Sequence, residues 1–358
     1  MIPFPPDDVY DGRSGPPEPQ TAVSAAHTET FPAFTVTDTT PAALRRFVKL
    51  TAFSTLFLVF AGAMVTSTGS GLAVPDWPLS YGRLMPPMVG GIFYEHGHRM
   101  IAATVGLLTV IQAIWLQLRE RKRHVRVLGW LAVGAVIAQG LLGGLTVIFL
   151  LPPAISIAHA GLAEIFFCIN VSIAFYTSVW FHEVRTLEKG DSPVGATSLL
   201  VALVYAQILA GALMRHLGAG LAIPDFPTSF GRWIPELTTA AVAVNFAHRV
   251  GALCVAIGVI ATALMLRRYE KGHALRQVSS LIVLAVSVQI VLGAWTVWSG
   301  KQPHITSLHV MTGALTLALS VILALTARSV AWKRGVIAST ARDPEAAWDS
   351  VAHPEVTA

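Results

Sequence analysis

Four histidines occupy matching positions in four apolar stretches of the sequence. Each lies about one helical turn inside the N-terminal end of a stretch long enough to cross a bilayer, and they are His98, His159, His248 and His309. An imidazole buried among apolar side chains needs a polar partner. Two facing imidazoles can hold one haem iron between them, whereas a single imidazole can instead hydrogen-bond to a neighbouring carbonyl. The spacing favours two bis-histidine haem sites, built from the pairs His98–His159 and His248–His309.

The histidines belong to an internal repeat of the chain. Residues 69–83 read GSGLAVPDWPLSYGR, and residues 218–232 read GAGLAIPDFPTSFGR. After these segments, at one constant spacing, His98-Arg99 matches His248-Arg249, Gln139 matches Gln289, Thr146-Val147 matches Thr296-Val297, and His159 matches His309. A hydrogen bond to a carbonyl gives no reason for this repetition, so the haem interpretation is preferred. The repeat predicts two halves of four helices each.

An acidic residue accompanies the histidine in one half only. Glu95 stands three residues before His98, whereas Asn245 stands three residues before His248. Residues three apart share a helix face, so Glu95 is predicted to project beside His98 towards the bound group. A carboxylate at this depth is costly, which marks a functional candidate; solvation at the outer interface and a pair with Arg99 are the alternatives. The asymmetry favours chemistry in the first half and a spectator or electron-transfer haem in the second.

Basic side chains near the same helix ends are candidates for binding haem propionates. A guanidinium group suits bidentate pairing with a carboxylate, and a lipid headgroup is the alternative partner. The candidates are Arg99 for the first haem, and Arg249 and Arg215, with His216 beside it, for the second.

Three other acidic residues carry weaker signals. Glu164 lies in the middle of a predicted helix, on a different face from His159, where a structural pair and a proton relay are both open. Asp76 and Asp225 lie in the repeated Pro-Asp-Trp-Pro and Pro-Asp-Phe-Pro segments, where we expect them to fix turns.

The elements that must position these residues are membrane helices. Of the 358 residues, 54% are hydrophobic and 13% are charged, too few charges to cover the surface of a soluble protein. This composition excludes nucleic-acid-binding proteins, collagen-like repeats and disulfide scaffolds. We predict eight transmembrane helices, at 47–68, 94–118, 127–150, 154–181, 196–217, 238–266, 277–299 and 304–328. The fold class is an all-α integral membrane protein of two parallel, pseudo-repeated four-helix bundles.

Lysine and arginine residues predict the orientation. They concentrate at the chain ends and in alternate loops, at Arg45, Arg46, Lys49, Arg119, Arg121, Lys122, Arg123, Arg126, Arg185, Lys189, Arg267, Arg268, Lys271, Arg276, Arg328, Lys333 and Arg334. The opposite loops contain only Arg83, Arg215, Arg232 and Lys301. By the positive-inside rule, both termini are cytoplasmic and the protein is a multi-pass protein of the cell inner (plasma) membrane.

Taken together, these residues resemble the haem A synthases of bacteria and mitochondria. The resemblance runs from about residue 45 to residue 328. It rests on the duplicated eight-helix plan, the Gly-Leu-Ala-Val-Pro-Asp-Trp-Pro segment, the Glu95-His96-Gly97-His98-Arg99 motif, and the later His159, His248-Arg249 and His309. It implies oxidation of the C8 methyl group of haem O to a formyl group by successive hydroxylations, which gives haem A for terminal oxidase assembly.

The resemblance also implies a role for each site residue. His98 and His159 bracket the substrate haem O, His248 and His309 ligate a resident haem b, and Glu95 is the catalytic carboxylate. The chain then divides into a disordered cytoplasmic tail (1–44), a catalytic half (45–190), a resident-haem half (191–334) and a second cytoplasmic tail (335–358). Besides haem O and the lipid bilayer, the sequence leaves open a haem O synthase, an unidentified electron donor and a second copy of the chain as partners.

One feature departs from the family and two other functions compete. Some members carry a cysteine pair in an outer loop, whereas Cys168 and Cys254 lie within predicted helices, so we expect no thiol relay on the outer face. A di-haem b-type electron-transfer cytochrome is the main alternative, but it predicts equivalent halves. A transporter with parallel repeats explains the duplication and leaves the four histidines unexplained.

Overall fold

The computed structural model describes residues 40–183 and 193–342. Most of the two predicted tails, 1–44 and 335–358, lies outside the described residues. Apart from Thr40 and Pro41, the described parts of these segments are helical: the first helix begins at Ala42, and the last continues to Arg342.

The described residues form nine α-helices and one short 3₁₀ turn, Ala219–Leu221. The helices are α1 (Ala42–Ser67), α2 (Gly91–Arg119), α3 (Arg123–Ile148), α4 (Pro153–Thr177), α5 (Val179–Glu183), α6 (Val194–His216), α7 (Ala240–Leu266), α8 (Ala274–Trp298) and α9 (Pro303–Arg342). All except α5 are long and apolar enough to cross a membrane, so the described residues contain eight candidate spans. This confirms the predicted all-α architecture of eight membrane helices.

The fourth predicted span is shorter than expected. The apolar run predicted one helix over 154–181, but α4 ends at Thr177 because Ser178 is extended, with φ −76° and ψ 151°. The chain then forms the single turn α5, whose Phe181 amide donates to the Ser178 hydroxyl. Hydrophobicity alone does not register this break, since both sides of it are apolar.

Many hydroxyl side chains inside the helices bond to their own helix. Thr51 and Thr55 donate to the carbonyls of Phe47 and Thr51 at 3.1 and 2.8 Å, and Ser320 donates to Thr316 at 2.8 Å. A lipid environment offers no water to satisfy these hydroxyls, so the carbonyl four residues earlier is the nearest acceptor.

Each set of four long helices closes into a ring. In the first half α1 contacts α2, α2 contacts α3, α3 contacts α4, and α4 returns to α1; in the second half α6, α7, α8 and α9 contact one another in the same order. The two rings meet where α9 packs on α1 and α4, and where α4 packs on α6. Two four-helix bundles require such rings, and the parallel repeat that relates them stays a prediction.

Two loops with the same local geometry lie at the helix ends that carry the paired histidines; we call residues 68–90 the first cap and 217–239 the second cap. Oxygens of Asp76 accept from the amides of Tyr81 and Gly82 at 2.6 and 2.8 Å. Asp225 accepts from the amides of Phe230 and Gly231 at 2.7 and 2.9 Å. The prediction that both aspartates fix turns is confirmed.

Glycine is required where these turns close. Gly82 and Gly231 have φ values of +69° and +73°, a left-handed conformation that side chains disfavour. The turn amides also act on the aspartates. The amide of Gly231 and the hydroxyl of Thr228 hold the pKa of Asp225 at about 2, and the amide of Gly82 lowers the pKa of Asp76.

Candidate functional site

The structure brings the predicted histidine partners together in both halves. His98 on α2 lies within electrostatic range of His159 on α4, and His309 on α9 lies within range of His248 on α7. In each half the two residues come from opposite corners of the helix ring. Each pair therefore faces across the interior of its own bundle.

The ring nitrogens are satisfied differently in the two halves. Nδ1 of His98 and Nδ1 of His159 are buried and have no hydrogen-bond partner among the described residues. In the second half, Nδ1 of His248 lies 3.0 Å from Nε2 of Gln207, and Nδ1 of His309 lies 3.1 Å from the backbone oxygen of Gln289. The second-half rings are held by polar contacts that the first-half rings lack.

Glutamines adjoin three of the four histidines. Nε2 of Gln139 donates to the backbone oxygen of His159 at 2.8 Å, and Nε2 of Gln207 donates to that of His248 at 2.8 Å. Gln289 adds a contact of 3.4 Å between its Nε2 and Nε2 of His309. The repeat identified Gln139 and Gln289 without giving them a role. Gln207 was missed because the matching residue of the first half is Leu58.

Glu95 is buried and fully bonded. It is 4% exposed, which excludes solvation at the outer interface as the explanation for this carboxylate. Its Oε1 accepts from Nη2 of Arg99 at 2.6 Å, and its Oε2 accepts from the amide of Val74 in the first cap at 2.8 Å. The pair with Arg99 is present, and the carboxylate ties α2 to the first cap.

Arg99 is committed to the first cap as well. Its Nη1 donates to the carbonyls of Asp76 and Leu79 at 2.8 and 3.0 Å. Its Nη2 donates to Glu95 and to the carbonyl of Val74, at 2.6 and 3.3 Å. Both terminal nitrogens are therefore occupied by the protein, and only the Nε–H of Arg99 is left for another acceptor.

Asn245 and Arg249 hold the second cap, but Asn245 donates a hydrogen bond to its cap, whereas Glu95 accepts one from the first cap. Nδ2 of Asn245 donates to the carbonyl of Ala219 at 2.9 Å, and its Oδ1 accepts from Nε of Arg249 at 3.0 Å. Arg249 also donates to the carbonyls of Thr228 and Ile223, at 2.8 and 3.0 Å. The position three residues before the histidine therefore clamps a cap in both halves, and only the first half places a carboxylate there.

Arg215 joins the two halves. From the end of α6 its Nη2 donates to the carbonyl of Ala63 at 2.7 Å and to the hydroxyl of Ser67 at 2.9 Å, both on α1. Its Nε and Nη1 have no partner among the described residues, so Arg215 retains more free donors than Arg99.

Glu164 and His216 lie beside the contact between the bundles. Glu164 is 3% exposed, its Oε2 has no partner among the described residues, and it is within electrostatic range of Cys168 and of Tyr205 on α6. His216 is within electrostatic range of His159. No structural pair is seen for the Glu164 carboxyl in the described part of the chain, and the proton-relay interpretation stays a prediction.

The residues present fit haem as the bound group. Paired imidazoles are a common axial ligand set for haem iron, and each pair spans a bundle interior. Each ring also rests against a glycine of a neighbouring helix, which keeps the space beside it open. Sequence reasoning missed these glycines.

The comparison with known families decides the relationship. The sequence profile of the cytochrome oxidase assembly protein family matches residues 45–321, which include all four histidines and Glu95. The chain belongs to this family.

Several proteins similar to this chain are named heme A synthase. A protein of Halalkalibacterium halodurans named heme A synthase is 32% identical over 75% of this chain and 91% of its own length. Heme A synthases of Shouchella clausii and Listeria welshimeri are 31% and 28% identical, over 60% and 79% of this chain and 73% and 96% of theirs.

Proposed function

We propose that this protein is a haem A synthase, a membrane oxidoreductase that converts haem O into haem A for the assembly of terminal oxidases. One observation carries the proposal: two like histidine pairs stand in two bundles, and a buried carboxylate accompanies only one of them. The relatives that bear this name support it. The family and these relatives together indicate a membrane enzyme that acts in oxidase assembly.

The two bundles divide the work in this proposal. His98 and His159, within residues 45–190, bind haem O as substrate, and His248 and His309, within residues 191–334, hold a resident haem b. When bound, haem b supplies one-electron redox chemistry. The bonded ring nitrogens of the second half support retention there, because a histidine with a fixed second nitrogen is a better oriented ligand.

Glu95 is the proposed catalytic carboxylate for oxidation of the C8 methyl group of haem O. Two successive hydroxylations give a gem-diol, which loses water to leave the formyl group. Each hydroxylation adds one oxygen atom to the methyl carbon and oxidises that carbon by two electrons. If water supplies the oxygen atom, an electron acceptor outside the chain takes the two electrons; if dioxygen supplies it, an outside donor gives two electrons that reduce the second oxygen atom to water. Arg99 and the Val74 amide hold the carboxyl group of Glu95 in place, where it would stabilise positive charge at the methyl carbon or accept its proton.

The arginines contribute unequally to haem binding in this proposal. Arg215 retains free donors and lies beside the second bundle, which favours a contact with a propionate of haem b. Arg99 and Arg249 mainly hold the caps. For the propionate of its haem, Arg99 keeps only its Nε–H, whereas Arg249 keeps two Nη hydrogens. In this proposal the caps lie on the outer side of the plasma membrane, and both termini are cytoplasmic.

The test is co-expression with a haem O source, followed by extraction and chromatographic identification of the haems. We expect haem A and haem b in cells that carry the intact protein, and no haem A in cells that carry the empty vector. Purified protein with two haems of one type, and no haem A in the cells, would instead identify a di-haem electron carrier. Purified protein without haem colour would instead favour a transporter.

A further inference from the structure

Each paired histidine rests one ring edge on a glycine of the helix that precedes its own. Gly62 of α1 faces His98, Gly143 of α3 faces His159, Gly211 of α6 faces His248, and Gly293 of α8 faces His309. A Cβ on these glycines would stand 3.0, 3.4, 2.9 and 3.0 Å, respectively, from Cε1 of the ring. The same edge of the imidazole meets the helix backbone in all four places.

The contact belongs to the ring and not to general helix packing. The three atoms nearest to the added Cβ of Gly62 or Gly211 all belong to the facing imidazole. At Gly129, by contrast, a Cβ would meet the backbone of Ala113 at 3.3 Å, as expected where two helices simply pack closely. Gly140, on the same helix as Gly143, has no atom within 4 Å of an added Cβ.

Glycine at these positions needs a reason, because it is disfavoured inside a helix relative to alanine. The ring supplies the reason. Cε1 is bonded to both ring nitrogens, so a methyl group that pushes on Cε1 displaces Nε2 as well. For Gly211 and Gly293, Nε2 of the facing ring is itself 3.8 Å from the added Cβ. Metal–ligand distances in well-formed sites lie within about 0.2 Å of their standard values.

We propose that Gly62, Gly211 and Gly293, the imidazole notches, are positioning residues that set how deeply His98, His248 and His309 sit against their neighbouring helices. Gly143, where an added Cβ would stand at ordinary van der Waals distance from the His159 ring, serves as the comparison. A ring seated on the backbone leaves the bundle interior free, where the two imidazoles of a pair would hold the haem. The inference rests on the proposed function, since it requires that these imidazoles bind haem.

The resident-haem half gives the first test. Full-length holoprotein carrying Gly211→Ala or Gly293→Ala is compared with Gly195→Ala, a substitution on α6 at a glycine with open space around it. We expect the two notch variants to lose haem b to apomyoglobin about tenfold faster and to show shifted low-spin EPR g values. Gly195→Ala is expected to match the unmutated protein in both measurements.

The substrate half gives a graded test by optical titration with haem O. Gly62→Ala places a methyl group 3.0 Å from its ring, and Gly143→Ala places one 3.4 Å away. We expect the first variant to weaken haem O binding more than the second, and Gly140→Ala to leave it unchanged. Equal effects of all three substitutions would contradict a role specific to the ring.

The outcomes separate this inference from the function on which it rests. Suppose that His248→Ala removes haem b while Gly211→Ala and Gly293→Ala keep the EPR signal and the haem loss rate of the unmutated protein. The proposed role of the notches is then overturned, and the ligand assignment stands. If His248→Ala keeps haem b, both the ligand assignment and the notches are overturned. If the notch variants cannot be recovered although haem-free His248→Ala protein can, these glycines serve helix packing and the proposal fails.

Discussion

The two bundles share a framework and differ in how polar groups meet the histidines. Both place their rings against glycines and close one end with an arginine-clamped cap. In the second bundle Gln207 contacts Nδ1 of His248, and Gly251 leaves room for its amide. The matching residues of the first bundle, Leu58 and Ile101, are apolar. A duplicated scaffold can therefore hold one ligand firmly and exchange another through a few side chains.

The carboxylate of Glu95 is a second difference between the two bundles. Glu95 and Asn245 do the same structural work, because each bonds an arginine four residues later and a cap. A neutral amide is enough for that work, as the second bundle demonstrates. The negative charge of Glu95 therefore needs another explanation, and chemistry on the bound group provides one.

The largest expected effect is the loss of one haem when its ligand is removed. His248→Ala or His309→Ala should remove most of the b-type absorbance, because each substitution removes one of the two imidazoles proposed to hold the resident haem. His98→Ala or His159→Ala should leave that absorbance largely intact and abolish conversion of haem O. Difference spectra and haem extraction distinguish the cases. Loss of the resident haem in the first-half variants would reverse the assignment of the halves.

The next effect concerns Glu95. Glu95→Gln keeps the shape and can still accept from the Val74 amide, but it removes the charge and the ion pair with Arg99. We expect conversion to fall about a hundredfold or more, with haem O or a partly oxidised haem accumulating on folded protein. Chromatography of extracted haems measures this.

The matched control for Glu95 lies in the second bundle. Asn245→Ala loosens the second cap without touching a charge, and we expect a much smaller change in turnover. Haem A formed by Glu95→Gln protein at close to the unmutated rate would make the carboxylate a cap clamp only.

A third, smaller effect concerns how long haem b is retained once its two histidine ligands are in place. Gln207→Leu introduces the residue found at the matching position of the first bundle and removes the contact to Nδ1 of His248. Loss of a group that orients a metal ligand commonly costs about tenfold or more in affinity. We expect haem b to remain bound but to transfer to apomyoglobin about tenfold faster. Gln139→Leu, which removes a bond to the backbone of His159, should not change that rate.

Spacing along helices predicted the features that depend on one helix or on the repeat. It located the histidine pairs, the eight spans and the turns of Asp76 and Asp225. It also placed Glu95 on the face of His98, yet the bonds of Glu95 run to Val74 and Arg99, because the cap folds back over α2. A residue's periodicity contains no information about such a returning loop.

Other features were invisible in sequence for two physical reasons. Gln207 has no counterpart in the first half, so the repeat that exposed the histidines could not expose it. Gly62 and Gly211 stand in matching Ala-Gly-Ala segments, but a glycine has no side chain whose chemistry suggests a partner. Its role appears only when the neighbouring helix is in place.

The smallest expected effect compares the two caps through their aspartates. The folded pKa of Asp225, about 2, lies below its unfolded value of about 3.9, so its carboxylate stabilises the cap above pH 4 and loses that contribution as the pH falls towards 2.

Thr228 donates to Asp225 at 2.7 Å, whereas the first cap has Leu79 at the matching position. Thr228→Leu should therefore raise the pKa of Asp225 and move acid-induced opening of the second cap to higher pH. Leu79→Thr should do the reverse for the first cap by giving Asp76 a hydroxyl donor. Pepsin cleavage of each cap, followed between pH 4 and pH 2, measures both shifts. Identical cleavage profiles in Thr228→Leu and unmutated protein would show that the turn amides alone hold Asp225 ionised.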